Sequence, residues 1–463
     1  MAQTNDPQEQ VSQEAIDELV SDYQKRGFSR RSFIQRSMAL GLSLSAASTL
    51  LAACGGSSNS ANDNPKTLSL LTTWGGEEQD SFKAVVAPFT DQTGIKVNIT
   101  ATRDLDAQLT IQIRGKNPPD IAILPNPGKM QQLAAQHSLI ALNDLVDMGK
   151  IQSDYAKSWL DLGSYNGKLY AIFFKAANKG TVWYNPAQFK SNNYATPGTW
   201  QDMITLSNTI AGQGKFPWSM GVESGSASGW PAADWVAQIF VNQSGPDMYD
   251  KWVAHQIPWT DASVKNAFQY FGQIAHGQHY IKGAPASILA TGFTDASYGP
   301  FQSPPASYMF YLGDFTEGFI TAQFKSLKPE TDFNFFPFPT INDSYKGAIT
   351  VGADVVVAMR NNNSVKKLVQ YLATADAQAI WVKRGGFTAV NKNVPVSDYP
   401  DPVAQASVSM LTAAPIVKYG AGDVMPSQVQ AAMWKGLLTY IQSPDQLDTI
   451  LSGIESTAAT AYK

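Results

Sequence analysis

An indole and three carboxylates fall within seven residues at Trp74, Glu77, Glu78 and Asp80, around the pair Gly75-Gly76. Side chains of these types can grip a neutral, hydroxyl-rich ligand, because carboxylates accept hydroxyl hydrogens and a flat indole covers a C–H face. Two other chemistries draw on the same set. A pair of carboxylates flanking a bond could hydrolyse a glycoside, and several acids beside aromatic rings could hold a polyamine. A structural account competes with all three, since acids in the first turn of a helix are stabilised by its dipole without any ligand. Signatures of catalysis are missing: the chain has no GxSxG, HExxH or GxxxxGK[ST] string, and Gly221-Val222-Glu223-Ser224-Gly225 has the wrong spacing. His276 and His279 are spaced for one helical face, but no acid cluster accompanies them in sequence, so they read as surface histidines rather than metal ligands.

The elements that must position these groups follow from periodicity. Residues 67–73 are a short apolar, β-branched run closed by Trp74-Gly75-Gly76, which predicts a buried strand. Phe82, Val85, Val86 and Phe89 then recur at helical spacing over 77–93, interrupted late by Pro88. A strand over 95–100, a helix capped by Asp104, a strand over 120–124 and a helix over 128–136 complete a strand–helix alternation, the pattern of a parallel sheet with right-handed crossovers. Ligand crevices in such sheets lie beyond the carboxyl ends of the strands, which puts Trp74 to Glu78, Arg103-Asp104 and Pro125-Asn126-Pro127 on one rim. The middle third, from about 184 to 302, reads as mostly helical. Strand-like runs return at 307–312, 333–338 and 349–359, and helices dominate after Asn363.

The bulk numbers narrow the classes further. A chain of 463 residues exceeds the ~250–300 at which single cores stop growing, so two lobes are expected. A formal net charge of -4 gives no basis for holding nucleic acid. The one cysteine, Cys54, excludes internal disulfides and cysteine-based metal sites, and no cofactor motif is present. That cysteine sits in Leu51-Ala52-Ala53-Cys54-Gly55, which resembles a bacterial lipoprotein box. Upstream, Ser29-Arg30-Arg31-Ser32-Phe33-Ile34-Gln35 leads into an apolar run too short and too rich in Ser and Gly to span a membrane. We read residues 1–53 as a twin-arginine lipoprotein signal, Cys54 as the lipid attachment point, and 54–65 as a flexible tether. The expected location is the outer face of the cytoplasmic membrane, held there by the lipid.

Several segments together resemble a known family, the sugar-binding proteins of ABC importers (bacterial extracellular solute-binding protein family 1, maltose-binding-protein-like). They are Gly94-Ile95-Lys96-Val97, Pro118-Pro119-Asp120-Ile121, Tyr165 to Ile172, Val182-Trp183-Tyr184-Asn185, Met309 to Phe315, Gly352-Ala353-Asp354 and Arg384 to Ala389. The likeness is greatest to the α-glucoside-binding branch, through Asp247 to Trp252 and Ile257 to Asp261. The resemblance implies an α/β, two-lobed periplasmic-binding-protein-like fold (type II) with crossing hinge strands. Its lobes would be 66–174 with 314–374, and 175–313 with 375–463. It implies a monomer that is not an enzyme, carries no cofactor, takes a small oligosaccharide or α-glucoside into the cleft, and presents it to membrane permease subunits. By the same resemblance the ligand-binding set is Trp74, Glu77, Glu78, Asp80, Asn126, Lys175, Asn178, Trp230, Asp234, Asp354, Arg384 and Trp434. The small residues Ala227, Ser228 and Gly229 before Trp230 depart from the family's pattern and are expected to open the pocket for a larger ligand. A polyamine cargo on the same fold is the main alternative, which Lys175 and Arg384 oppose; a secreted glycoside hydrolase is more remote.

Overall fold

The computed structural model describes residues 64–463, together with Gln35; the expected export signal, Cys54 and most of the expected tether lie outside these residues. β1 (Thr67–Thr72) buries Leu68, Leu70 and Leu71 and ends in the Trp74-Gly75-Gly76 turn, where Gly76 takes φ 57°. Helix α1 (Glu77–Thr93) follows and packs Ser81, Phe82, Val85, Val86 and Phe89 inward. It runs through Pro88 instead of breaking there, because burial of the residues on either side outweighs the ~3 kcal/mol that an interior proline costs. β2 (Lys96–Ala101), α2 (Leu105–Arg114), β3 (Ile121–Leu124) and α3 (Pro127–Ala135) continue the alternation. Asp104 stands at the start of α2 as expected, but its side chain caps no backbone N–H.

The hairpin of β4 (Ser164–Tyr165) and β5 (Lys168–Leu169) leads into β6 (Ala171–Asn178), which is buried along its whole length, and then β7 (Thr181–Tyr184). The later strands are β8 (Met309–Tyr311), β9 (Asn334–Pro337), β10 (Ile349–Ala358), β11 (Thr388–Ala389) and β12 (Val417–Tyr419). Seven of these form one sheet in the order β11-β6-β10-β3-β1-β2, with β12 paired to β10 off that path. β1 is parallel to both β2 and β3, as the alternation predicts, whereas β10 runs antiparallel to β3 and β6, so the sheet is mixed. A second, antiparallel sheet has the order β8-β7-β9. Two connections therefore carry the chain directly from one sheet to the other: β6 into β7 through Lys179-Gly180, and β9 into β10.

Each sheet has its own core. The first gathers Leu68, Leu124, Phe173 and Val356 with the flanking helices. It also takes in Trp381, Phe387, Tyr399 and Tyr419, from the stretch that the resemblance assigned to the second lobe. The second core is largely helical. It contains α4 (Trp230–Val253), which bends at Gly245, and buries Trp218, Trp235, Trp252 and Trp259. Among the described residues no helix is long and apolar enough to cross a membrane.

Beside the first crossing lies a group of acids. Asp314 accepts hydrogen bonds from Thr388 Oγ1 (2.6 Å) and Ser407 Oγ (3.1 Å). Glu317 is 3% exposed and shares a hydrogen bond with Asp401, which also accepts from the backbone N–H groups of Val403 and Ala404 at the start of α5 (Pro402–Ala413). Burial first, and then the charges of Asp401 and Asp314, push the Glu317 carboxyl well above the ordinary 4.5. A carboxyl raised in the folded state contributes stability that is complete below 4.5 and is lost as the pH climbs through its raised value. Glu317→Gln keeps a neutral donor at every pH. Its thermal midpoint is expected to exceed that of the parent by about 2 °C or more near pH 9, and the gap should close as the pH falls toward 5. Melting curves across that range test this; a gap independent of pH would refute the raised Glu317 carboxyl.

Candidate functional site

The carboxyl ends of β1, β2 and β3 point at one cavity of about 140 Å³, space for on the order of ten waters. From the first core the strand ends supply Thr73, Trp74, Arg103 and Asn126, α1 supplies Glu78, and β10 supplies Gly352, Ala353 and Asp354. From the second core come Trp230 and Asp234 on the first turns of α4, Asp423 on the short helix Ala421–Val424, and Gln430 and Trp434 on α6 (Ser427–Gln442). Lys175 and Lys179 on the crossing strand lie between the two sets, and Phe293, Phe315 and Phe319 add an apolar wall.

The two lysines are four residues apart, a spacing that puts side chains on one face of an extended strand. Each pairs with an acid from a different core. Lys175 Nζ is 2.5 Å from Glu78 Oε1, and Lys179 Nζ is 2.5 Å from Asp234 Oδ2. Rings complete their surroundings: Lys175 Nζ lies 4.9 Å from the Trp381 ring centre, and Lys179 Nζ 4.8 Å from that of Trp230. Both ammonium groups are therefore neutralised and shielded before any ligand arrives.

Trp74 Nε1 donates to Asp354 Oδ2 (3.2 Å) while its ring meets Trp381 edge-on. Burial raises the Asp354 carboxyl to about 6, against the lowering effect of Lys175. Burial, helped by Asp234 nearby, raises Asp423 to about 7. Asp234 is also raised, because burial outweighs its lysine partner. Carboxyls held near neutrality can act as donors or acceptors, which suits hydroxyl groups better than a fixed cation.

Amide groups reach across the cleft. Asn126 Nδ2 donates to Gln430 Oε1 (3.0 Å), and Gln430 Nε2 donates to Asp423 Oδ1 (3.1 Å). Two cavity-lining oxygens, Asn126 Oδ1 and Ser224 Oγ, are buried without a hydrogen-bond partner. Further bridges are Ser427 Oγ to Gln132 Oε1 (2.9 Å) and Ser226 Oγ to the Arg103 carbonyl (3.1 Å). At Gly128 the cores touch so closely that a Cβ would stand 2.5 Å from the Met425 carbonyl oxygen.

Of the residues singled out in the sequence, Trp74, Glu78, Asn126, Lys175, Trp230, Asp234, Asp354 and Trp434 are brought together around this cavity. Glu77 and Asp80 are not; they sit on the exposed side of α1, and Asp80 pairs with Lys83 at 2.7 Å. Asn178 is fully buried at the crossing, where its amide holds Gly180 N and Ser407. Arg384 is exposed and donates from Nε to Ser81 Oγ (2.9 Å). Of the small residues before Trp230, Ala227 lines the cavity, whereas Gly229 permits close packing, since a Cβ there would meet the Trp434 carbonyl oxygen at 2.8 Å. The residues that sequence reasoning passed over are Lys179, Asp423, Gln430 and the three phenylalanines. His276 faces the carbonyls of Tyr440 and Ile441, and among the described residues no group of three or more His, Cys, Asp or Glu could hold a metal.

Comparison with known proteins adds to this geometry. Residues 75–379 match the profile described as bacterial extracellular solute-binding protein. The osmoprotective compounds-binding protein GgtB of Synechocystis sp. is 32% identical over 397 residues, 86% of this chain and 93% of that one. The α-glucosides-binding periplasmic protein AglE of Rhizobium meliloti is 31% identical over 84% of this chain and 86% of its own. Among solved structures, the bacterial solute receptor AcbH, reported to prefer β-D-galactopyranose, superposes with a TM-score of 0.75 at 20% identity, covering 86% of this chain and 99% of that one.

Proposed function

The chain belongs to the bacterial extracellular solute-binding protein family, and from that premise we propose that it is the lipid-anchored receptor of an ABC carbohydrate importer. It captures a small glycoside, of the α-glucoside or osmoprotectant type, in the cavity between two closing lobes and presents it to the permease. The observation that carries this reading is the lining of the cavity. Indoles of Trp74, Trp230 and Trp434 alternate there with carboxyl, amide and ammonium groups that are already paired with one another. Such a wall offers stacking faces and fixed hydrogen-bond partners but little net charge, which matches a neutral ligand with apolar faces and hydroxyl edges. A polyamine fits it poorly, since two of the acids are taken by Lys175 and Lys179. The two named relatives are binding proteins, and we read this chain likewise as a receptor without catalysis, monomeric and acylated at Cys54.

Calorimetric titration of the purified protein with glucose, maltose, trehalose, sucrose, maltotriose and spermidine, followed by product analysis, tests the reading. Micromolar or tighter binding of one sugar that is recovered intact is the expected outcome. Binding of spermidine alone would assign another cargo, and cleavage of any sugar would make the protein an enzyme.

A further inference from the structure

We propose that Gln430 is a positioning residue that couples occupancy of the cavity to closure of the cleft, an inference that rests on the cavity being the ligand site. The chain of contacts is short. Gln430 is 3% exposed on α6 of the second core, and its side-chain amide works in both directions. Nε2 donates to Asp423 within its own core, while Oε1 accepts from Asn126 of the first core. Asn126 is 5% exposed, and its remaining polar atom, Oδ1, is buried at the cavity with no partner. Asp423 at the other end of the relay also lines the cavity.

A ligand hydroxyl donating to Asn126 Oδ1 would fix the plane of that amide and so aim Nδ2 at Gln430. Asp423 fixes the far end. Occupancy then favours the bridge and the bridge favours the closed cleft, because a ligand shifts an equilibrium only through contacts that differ between its two states. The role requires a side chain that accepts and donates at once. Leucine does neither, and glutamate can donate only while it carries a proton.

Small-angle scattering with and without trehalose, sucrose and maltose, together with calorimetry against the same three sugars, tests this on the intact protein. Gln430→Leu is expected to melt close to the parent, to scatter as a more open particle, and to bind the preferred sugar roughly 3- to 10-fold more weakly, the effect of losing the one hydrogen bond that crosses the cleft. Gln430→Glu supplies the second arm. Its carboxyl must share a proton with Asp423, in a setting that also contains Asp234 on α4, Lys179 on the crossing strand, Asp354 on β10, and Tyr249 and Tyr419. Its affinity should approach that of the parent at acidic pH and fall away through neutrality more steeply than the parent's. Parent-like closure and affinity in Gln430→Leu, or a pH profile for Gln430→Glu that tracks the parent, would overturn the latch and leave the sugar-receptor reading standing. A parent that binds none of the five sugars named under Proposed function would overturn that reading and the latch with it.

Discussion

Replacing Lys179 by Met is expected to destabilise the protein by about 3–5 kcal/mol, the usual cost of stranding one member of a buried ion pair. The stranded group is Asp234, 7% exposed and held by Lys179 Nζ in the parent. Without that ammonium the carboxyl is pushed still further upward from the raised position it already has. The defect should therefore be largest at alkaline pH and shrink as acid protonates Asp234. Pairing Lys179→Met with Asp234→Leu removes the stranded charge, and the double variant is expected to recover most of the lost stability, because well-packed apolar replacements of buried pairs are often neutral. It should not recover ligand affinity, since two polar groups of the cavity are gone. Denaturant unfolding of the three proteins at two pH values, alongside titration with the preferred sugar, separates the two effects. If the double variant is no more stable than the single one, the pair is not what Asp234 depends on.

Adding one methyl group at Gly128 is expected to raise the ligand dissociation constant about 100-fold or more while leaving the protein folded. The new Cβ would stand 2.5 Å from the Met425 carbonyl oxygen and 3.1 Å from that of Asp423, distances that backbone atoms cannot relieve by side-chain rotation. Gly128 lies at the start of α3, in the first core, whereas Met425 belongs to the second. The clash thus falls between the two cores and is relieved by parting them. Alanine favours the helix over glycine by roughly 0.5–1 kcal/mol, so the open form should melt no lower than the parent. Calorimetry gives the affinity and small-angle scattering the separation of the two halves. Unchanged affinity in Gly128→Ala would mean that ligand binding does not need this contact.

How far the sequence reveals such a site depends on what each signal measures. The strand–helix alternation placed Trp74, Glu78 and Asn126 at the cavity, because the carboxyl ends of parallel strands converge on one rim whatever the side chains are. The same logic overreached at Glu77 and Asp80. Once a helix begins, neighbouring residues point around its circumference, and only Glu78 faces inward. Asn178 lay on the right strand, but its amide serves the crossing itself. Lys179 was legible in principle, since it lies four residues beyond Lys175 at a spacing that repeats one strand face. Asp423 and Gln430 carried no such mark: they reach the cavity through tertiary packing of the short helix Ala421–Val424 and of α6 against α4, and no local period encodes those contacts. The antiparallel β10 between β3 and β6 was likewise invisible, because an apolar run does not announce its direction.

The placement of tryptophan has a practical corollary in spectroscopy. Three indoles, Trp74, Trp230 and Trp434, border the cavity, and Trp381 lies 4.8 Å from Trp74 with its ring turned by 83°. A ligand that fills the cavity must displace solvent from the half-buried indoles of Trp230 and Trp434 and come to rest against the buried Trp74. The unlabelled protein should thus act as its own fluorescent indicator, with capture and release rates readable from intrinsic emission in a stopped-flow cell.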